Sequence, residues 1–265
     1  MNLKTKIYQK IAKLLWGTKI SKFPGVRKIH VFIKKKVSLK KITINNHTLF
    51  LDEGDSLHLT LKNEFSPDIT EIFRKNVKRG DIVVDVGAHI GYFTVILADI
   101  VGDRGKVFAF EPNPKTFSIL KKNIETNNIK NVVLEKLALS NIETEEFVKE
   151  AELSAGTVVD KNFTQGIKVK TTTFDKYFHD IKIDFIKIDV QGAEYNILNG
   201  GEKIFEKKPK CIIEIHPTIF DSNGNTINSD KVIKILKKYN YEIFNITKNK
   251  LLDKENIIRA DLFCY

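Results

Sequence analysis

The stretch Asp81-Ile82-Val83-Val84-Asp85-Val86-Gly87-Ala88-His89-Ile90-Gly91 decides the fold. Its first six residues are apolar apart from two acids, which predicts a short buried strand over Asp81–Val86. Gly87 then allows a tight turn, and the apolar residues that follow predict a helix from about Gly91 to Ala98. Downstream the same alternation recurs. Strands are expected at Lys106–Phe110, Val132–Leu134, Asp184–Asp189, Cys211–Ile215, Tyr241–Ile246 and Asp261–Tyr265. Helices are expected from Pro114 to about Asn127, from Ala193 to about Phe205, and from about Asp230 to Tyr239. Strands alternating with helices make an α/β fold, a parallel sheet covered on both faces. Upstream, Ser66-Pro67-Asp68 opens a helix with Ile69, Ile72, Phe73 and Val77 on one face, and Gly80 closes it. Residues 40–51 read as a β-hairpin around Asn45-Asn46. Residues 140–172 are polar with Thr/Val patches and read as a β-hairpin or an irregular insertion.

Charge is distributed unevenly. The 265 residues carry a formal net charge of +11. Residues 1–50 hold 13 Lys or Arg and no acid, leaving 31 basic against 33 acidic in the rest. A near-neutral body thus follows a basic leader. At 42% hydrophobic, the chain buries a core and is not a disordered one. Two cysteines, Cys211 and Cys264, exclude a disulfide scaffold and a Cys-ligated zinc module, and point to a reducing compartment. No run of about 18 uncharged apolar residues exists to span a bilayer, and no signal-peptide pattern opens the chain. In the leader, Leu3, Ile7, Ile11, Leu14 and Leu15 recur at helical spacing opposite Lys6, Lys10 and Lys13. Such a helix either packs on the body or lies on an anionic surface. The expected location is cytoplasmic, with residues 1–40 available to an anionic membrane face; nucleic acid is the less favoured partner. The leader and hairpin, residues 1–64, are read as an extension, and residues 65–265 as the functional domain.

Three signals carry the chemistry. Asp85 and the Gly87–Gly91 pair sit at a strand-to-helix turn, but the pattern is neither Gly-x-Gly-x-x-Gly nor a P-loop. An acid two residues before Gly87 suits a ligand with an ammonium group and no phosphates, as in S-adenosylmethionine. Phe110-Glu111-Pro112-Asn113-Pro114 places a carboxylate at the end of the next strand, where it can accept both ribose hydroxyl hydrogens. Lys187-Ile188-Asp189-Val190-Gln191-Gly192-Ala193-Glu194 ends a further strand in an acid and turns into a helix. Ligands of open α/β sheets bind beyond the carboxyl ends of strands, so Asp85, Glu111 and Asp189 face one crevice. Ile213-Glu214-Ile215-His216-Pro217 adds Glu214 and His216 on one side of the next strand, a His beside a Glu that is a base candidate. Structural roles compete with these readings: Asp189 also suits a helix cap, and Glu194 a first-turn acid favoured by the helix dipole.

With these pieces in order, the chain resembles the FkbM family of S-adenosylmethionine-dependent methyltransferases. The resemblance rests on Val84 through Thr94, Ala109 through Pro114, Leu120 with Asn123 and Asn127, Ala138-Leu139-Ser140, and Ile186 through Glu194. It implies a Rossmann-like, seven-stranded, mostly parallel sheet with its last strand antiparallel, and methyl transfer to oxygen. It implies S-adenosyl-L-methionine held by Asp85, Gly87, Ala88, His89, Gly91, Tyr92 and Phe93 at the turn. Glu111, Pro112 and Asn113 fall at the ribose, Ala138 and Leu139 at the adenine, and Asp189 at the transfer centre. His89 stands where the family more often has Asn, and Gln191 where Glu is common.

Methyl transfer is an in-line displacement, and a hydroxyl acceptor needs its proton removed as the bond forms. The base candidates are Asp189 and His216, with Glu194 or Glu214 orienting the acceptor or the base. No cluster demands a metal, although Asp189, Glu194, Glu214 and His216 together offer oxygen-rich ligands for a divalent ion. The expected acceptor is a small molecule or glycan. The rivals are an RNA methyltransferase gripping the backbone through its leader, and a scaffold that binds the cofactor without turnover. Ser154 and Thr157 are polar candidates for the acceptor pocket, set against a plain surface loop.

Overall fold

The computed structural model describes residues 39–62, 64–149, 157–158, 166–216, 227–252 and 259–265. The predicted leader helix and Ser154 lie outside the described residues, and only the backbone of Thr157 is described. Met1–Pro67 and Asp68–Tyr265 form two compact units. In the first, strands β1 (Lys41–Ile44) and β2 (His47–Phe50) pair antiparallel, Lys41 opposite Phe50 and Ile44 opposite His47. Asn45 and Asn46 turn the hairpin with φ of 46° and 69°, the left-handed pair that such a two-residue turn requires. A short helix, α1 (Leu59–Lys62), begins where the buried Asp55 carboxylate accepts the N–H groups of Leu59 and Thr60.

The second unit opens with helix α2 (Pro67–Asn76), which buries Ile69 and Phe73. Five strands form the parallel part of its sheet: β3 (Ile82–Val86), β4 (Lys106–Phe110), β5 (Val132–Glu135), β10 (Phe185–Ile188) and β11 (Lys210–Ile215). Their spatial order is β11-β10-β3-β4-β5, with Phe185 beside Val83 and Ile188 beside Val86. The inner four are largely buried, near-continuous apolar runs, as a covered parallel sheet requires, and the edge strand β5 is half-buried. Strand β14 (Ala260–Cys264) adds antiparallel to β11, and β12 (Ile243–Asn245) antiparallel to β14. That is the expected seven-stranded sheet. Strand β13 (Lys250–Leu251) adds an eighth, two-residue rung on β12.

Helices α3 (Tyr92–Val101) and α4 (Pro114–Thr126) follow β3 and β4, and α8 (Ile227–Lys238) precedes β12. Two readings differ in detail. The expected helix from Ala193 to about Phe205 is two, α6 (Glu194–Asn199) and α7 (Glu202–Glu206). A Cβ at Gly200 would sit 2.1 Å from the Ser140 carbonyl oxygen, so the chain breaks there to let a second segment approach. The 140–172 segment takes the β-hairpin alternative where it is described, widened into a small sheet. Strands β6 (Ala138–Leu139), β7 (Glu145–Lys149), β8 (Thr157–Val158) and β9 (Ile167–Thr172) make a second sheet in the order β6-β9-β7-β8. The short helix α5 (Phe174–Tyr177) follows, capped by the Thr173 hydroxyl.

This topology sets the site. Strands β11, β10, β3 and β4 lie side by side and run the same way, so their carboxyl ends form one edge. The residues immediately past them are His216, Asp189, Gly87 and Glu111.

Candidate active site

The turn after β3 is built from backbone. Gly87 has φ +76°, and a Cβ there would lie 1.9 Å from the Asp189 carbonyl oxygen. Only glycine fits, so the turn and the loop after β10 pack backbone to backbone. The N–H groups of Gly87 and Ala88 both donate to the Phe110 carbonyl, tying the turn to the end of β4. His89 adopts φ 54°, a left-handed conformation that Asn accepts readily and His tolerates. Its N–H donates to Glu111 Oε2 at 2.9 Å, so the position contributes backbone whichever of the two residues stands there. Asn123 Nδ2 donates to the Ile90 carbonyl at 2.7 Å and fixes the turn from α4. Gly91 begins α3, and Tyr92 and Phe93 are buried in its first turn, edge to face with each other.

Glu111 is 5% exposed. Oε1 accepts the Asn113 N–H and Oε2 the His89 N–H, each at 2.9 Å. A carboxylate oxygen carries two lone-pair sites, so one on each oxygen remains for a hydroxyl donor. Burial pushes this carboxyl up to about 7, against the opposing pull of the two N–H groups. Asn113 caps α4, its Oδ1 accepting the Lys115 N–H at 2.9 Å, and Pro114 takes the first helical position. Ala138 and Leu139 are buried in β6, which pairs parallel with β9.

Asp85 differs in character. Its side chain is 0% exposed. Oδ2 accepts the Thr94 hydroxyl at 2.6 Å, and Oδ1 lies 3.1 Å from the Lys187 ammonium. It braces the turn from beneath.

The four acid-base candidates from the sequence come together past β10 and β11. Asp189 keeps 20% of its side chain exposed, against 15% for Glu214 and none for Glu194. Burial raises its carboxyl; Lys187 and His216 pull it down and Glu214 pushes it up. Gln191, at φ 57°, donates Nε2 to Asp189 Oδ1 at 3.2 Å. Glu194, 0% exposed, accepts the Gly192 N–H at 2.9 Å and stands 3.5 Å from His216 Nδ1. Glu214 Oε1 stands 3.1 Å from His216 Nε2 and 2.6 Å from Arg259 Nη2. Burial alone would lower the imidazole, but Glu194, Glu214 and the Asp189 charge outweigh it and raise His216 to about 9. This favours the imidazolium at neutral pH, with a carboxylate facing each ring nitrogen; burial alone would raise Glu214, but His216 and Arg259 hold it below the usual carboxylate range.

Three contributors went unsingled in the sequence. Lys187 appears there only as one charge inside a buried strand. Arg259 and Asp261 are set by register, since Asp261 lies opposite Glu214 in the β11–β14 pair. Burial, Glu214 and Asp189 raise the Asp261 carboxyl to about 6.

The donor set fits S-adenosylmethionine: a glycine-only turn beside a carboxylate with free lone pairs, and an accessible acid across the turn. Among the described residues, one ligand atom each from Asp189, Glu214 and His216 lie within 4.8 Å of one another, spacing that a cation accepts. In this structure His216 and Arg259 supply the countercharge to Glu214.

The family model for the methyltransferase FkbM domain matches residues 85–243. The chain belongs to that family. It is similar to the hexuronic acid methyltransferase AglP of Haloferax volcanii, 26% identical over 152 residues, 56% of this chain and 62% of that one. Methyltransferase 1 of Beauveria bassiana is 24% identical over 143 residues, 44% of this chain and 57% of its own length. The chain thus spans about three fifths of these two relatives. Among solved structures, an S-adenosylmethionine-dependent O-methyltransferase of Thermotoga maritima is 14% identical at TM-score 0.47, covering 88% of this chain and 80% of its own. No helix among the described residues is long and apolar enough to cross a membrane.

Proposed function

We propose that this FkbM-family methyltransferase methylates a hydroxyl oxygen of a sugar, a glycan or a related metabolite, with Asp189 as the base. The observation that carries the reading is the placement of Asp189. Of Asp189, Glu194 and Glu214 it is the most exposed, and its own carbonyl packs against the Gly87 turn. When bound, the cofactor supplies an electrophilic methyl group on a sulfonium.

The chain's residues do the rest. Glu111 in its ionised form accepts the ribose hydroxyls. The Gly87 turn brings the backbone close enough to hold the cofactor beside Asp189. Burial raises the Asp189 carboxyl towards neutral pH, which makes it a better proton acceptor for a hydroxyl than a free aspartate. His216, protonated and held between Glu194 and Glu214, serves as a fixed positive charge that steadies the Asp189 carboxylate. A carboxylate acceptor would need no base, so a requirement for Asp189 distinguishes transfer to a hydroxyl from ester formation. The hexuronic acid methyltransferase among the relatives supports a sugar acceptor.

The test is incubation with methyl-labelled S-adenosylmethionine and cell extract fractionated into glycan, lipid, RNA and protein. Label in carbohydrate that resists mild base, as an ether does, is the expected result. Label confined to RNA or protein, or released as methanol by mild base, would overturn the reading.

A further inference from the structure

We propose that Lys187 is a positioning residue for this transfer: a buried cation that fixes Asp189 and the glycine turn as one rigid piece. The inference rests on the methyltransferase reading above and adds a residue to its machinery.

Strand β10 alternates, with Ile186 and Ile188 in the main apolar cluster and Lys187 between them on the opposite face. The Lys187 side chain is 4% exposed. Its ammonium faces three oxygens, one in strand β3, one in the turn after it and one just past β10. It stands 3.1 Å from Asp85 Oδ1 and 3.9 Å from Asp189 Oδ2, and donates to the Gly87 carbonyl at 3.3 Å. The Phe93 ring lies 5.4 Å away and closes the remaining side. A cation serving only to neutralise Asp85 would need neither of the other two contacts. Lys187 instead joins the acid beneath the turn, the turn's own backbone and the acid at the transfer centre. The missing Cβ of Gly87 lets these parts touch, and Lys187 ties them by charge.

Removing one partner of a buried pair leaves the other uncompensated, so Lys187→Met alone is a poor test. The informative comparison is Asp85→Asn, in which Asp189 still faces the Lys187 charge, against the double variant Asp85→Asn/Lys187→Met, in which both charges of the buried pair are gone. Thermal melting checks folding, and calorimetry with S-adenosylmethionine measures cofactor affinity. Initial rates at saturating methyl-labelled cofactor, on the extract fraction that the wild type labels, measure kcat. If Lys187 positions Asp189, adding Lys187→Met lowers kcat by about tenfold or more while cofactor affinity changes less than about threefold, a coupling in the range of contacting residues. Equal kcat in the two variants would overturn the proposal, leaving Lys187 as a neutraliser of Asp85. Loss of cooperative melting in the double variant alone would also overturn it, since Lys187 would then be a structural prop. Failure of the methyltransferase reading appears separately, as a wild type that binds cofactor and labels nothing.

Discussion

The two halves of the strand edge are built on different principles. At β3 and β4 the groups are locked before any ligand arrives. Asp85 has both oxygens engaged by Thr94 and Lys187, and Glu111 takes a backbone N–H on each oxygen. At β10 and β11 the groups are charges in balance. Asp189, Glu194, Glu214 and Asp261 share the cations Lys187, His216 and Arg259, and each shifts its neighbours' protonation. A constant cofactor suits the first arrangement and proton transfer the second. The difference teaches that changes in the first half should act on affinity, and changes in the second on turnover and on its pH dependence.

Asp189→Asn is expected to have the largest effect. It keeps shape and removes the base, so kcat should fall by about a hundredfold or more while cofactor affinity stays within severalfold. Gly87→Ala comes next. The new methyl would lie 1.9 Å from the Asp189 carbonyl oxygen at a φ that alanine resists. Cofactor affinity and turnover should fall together, and stability by about 1–3 kcal/mol in chemical denaturation. This variant joins the two halves, and loss of only one property would show them less tightly coupled than drawn.

Glu111→Gln should weaken cofactor binding by about tenfold to a hundredfold, the range for a charged hydrogen-bond acceptor, with kcat at saturation little changed. In the wild type, the affinity should weaken as pH falls through about 7, where this carboxyl protonates, and the variant should be flat there. Without cofactor the linkage runs the other way. The raised folded-state pKa makes Glu111's contribution to stability full below its ordinary 4.5, and that contribution is lost as pH rises through about 7.

His216→Gln should show the smallest effect of the four, and it is read in melting curves. The imidazole is raised from 6.5 to about 9, so its charge stabilises the fold fully below 6.5 and that stabilisation is lost as pH rises through 9. The gap between wild type and variant should therefore be widest in mild acid and narrow above pH 9. A constant gap would mean that His216 is neutral and remains available as a base.

Much of this was legible in the sequence because the relevant residues follow strands. Gly87, Glu111, Asp189 and His216 each stand just past a buried apolar run, where a sheet must present them. Lys187 was not singled out because its partner Asp85 is distant along the chain and meets it only through the β10–β3 register. Arg259 and Asp261 were hidden for the same reason, since antiparallel β14 sets them beside Glu214. The break at Gly200 follows from the approach of Ser140. The protonation of His216 does not follow from Glu214-Ile215-His216 alone, because Glu194 and Asp189, on other segments, also raise it.

The most direct test of the division between the halves is one paired measurement on Asp189→Asn and Glu111→Gln. Cofactor affinity is taken by calorimetry and single-turnover methyl transfer at saturating labelled S-adenosylmethionine. The account predicts that Asp189→Asn binds cofactor nearly as the wild type does and transfers almost nothing. It predicts that Glu111→Gln binds weakly and, once saturated, transfers at close to the wild-type rate. An Asp189→Asn enzyme that transfers at the wild-type rate would contradict it.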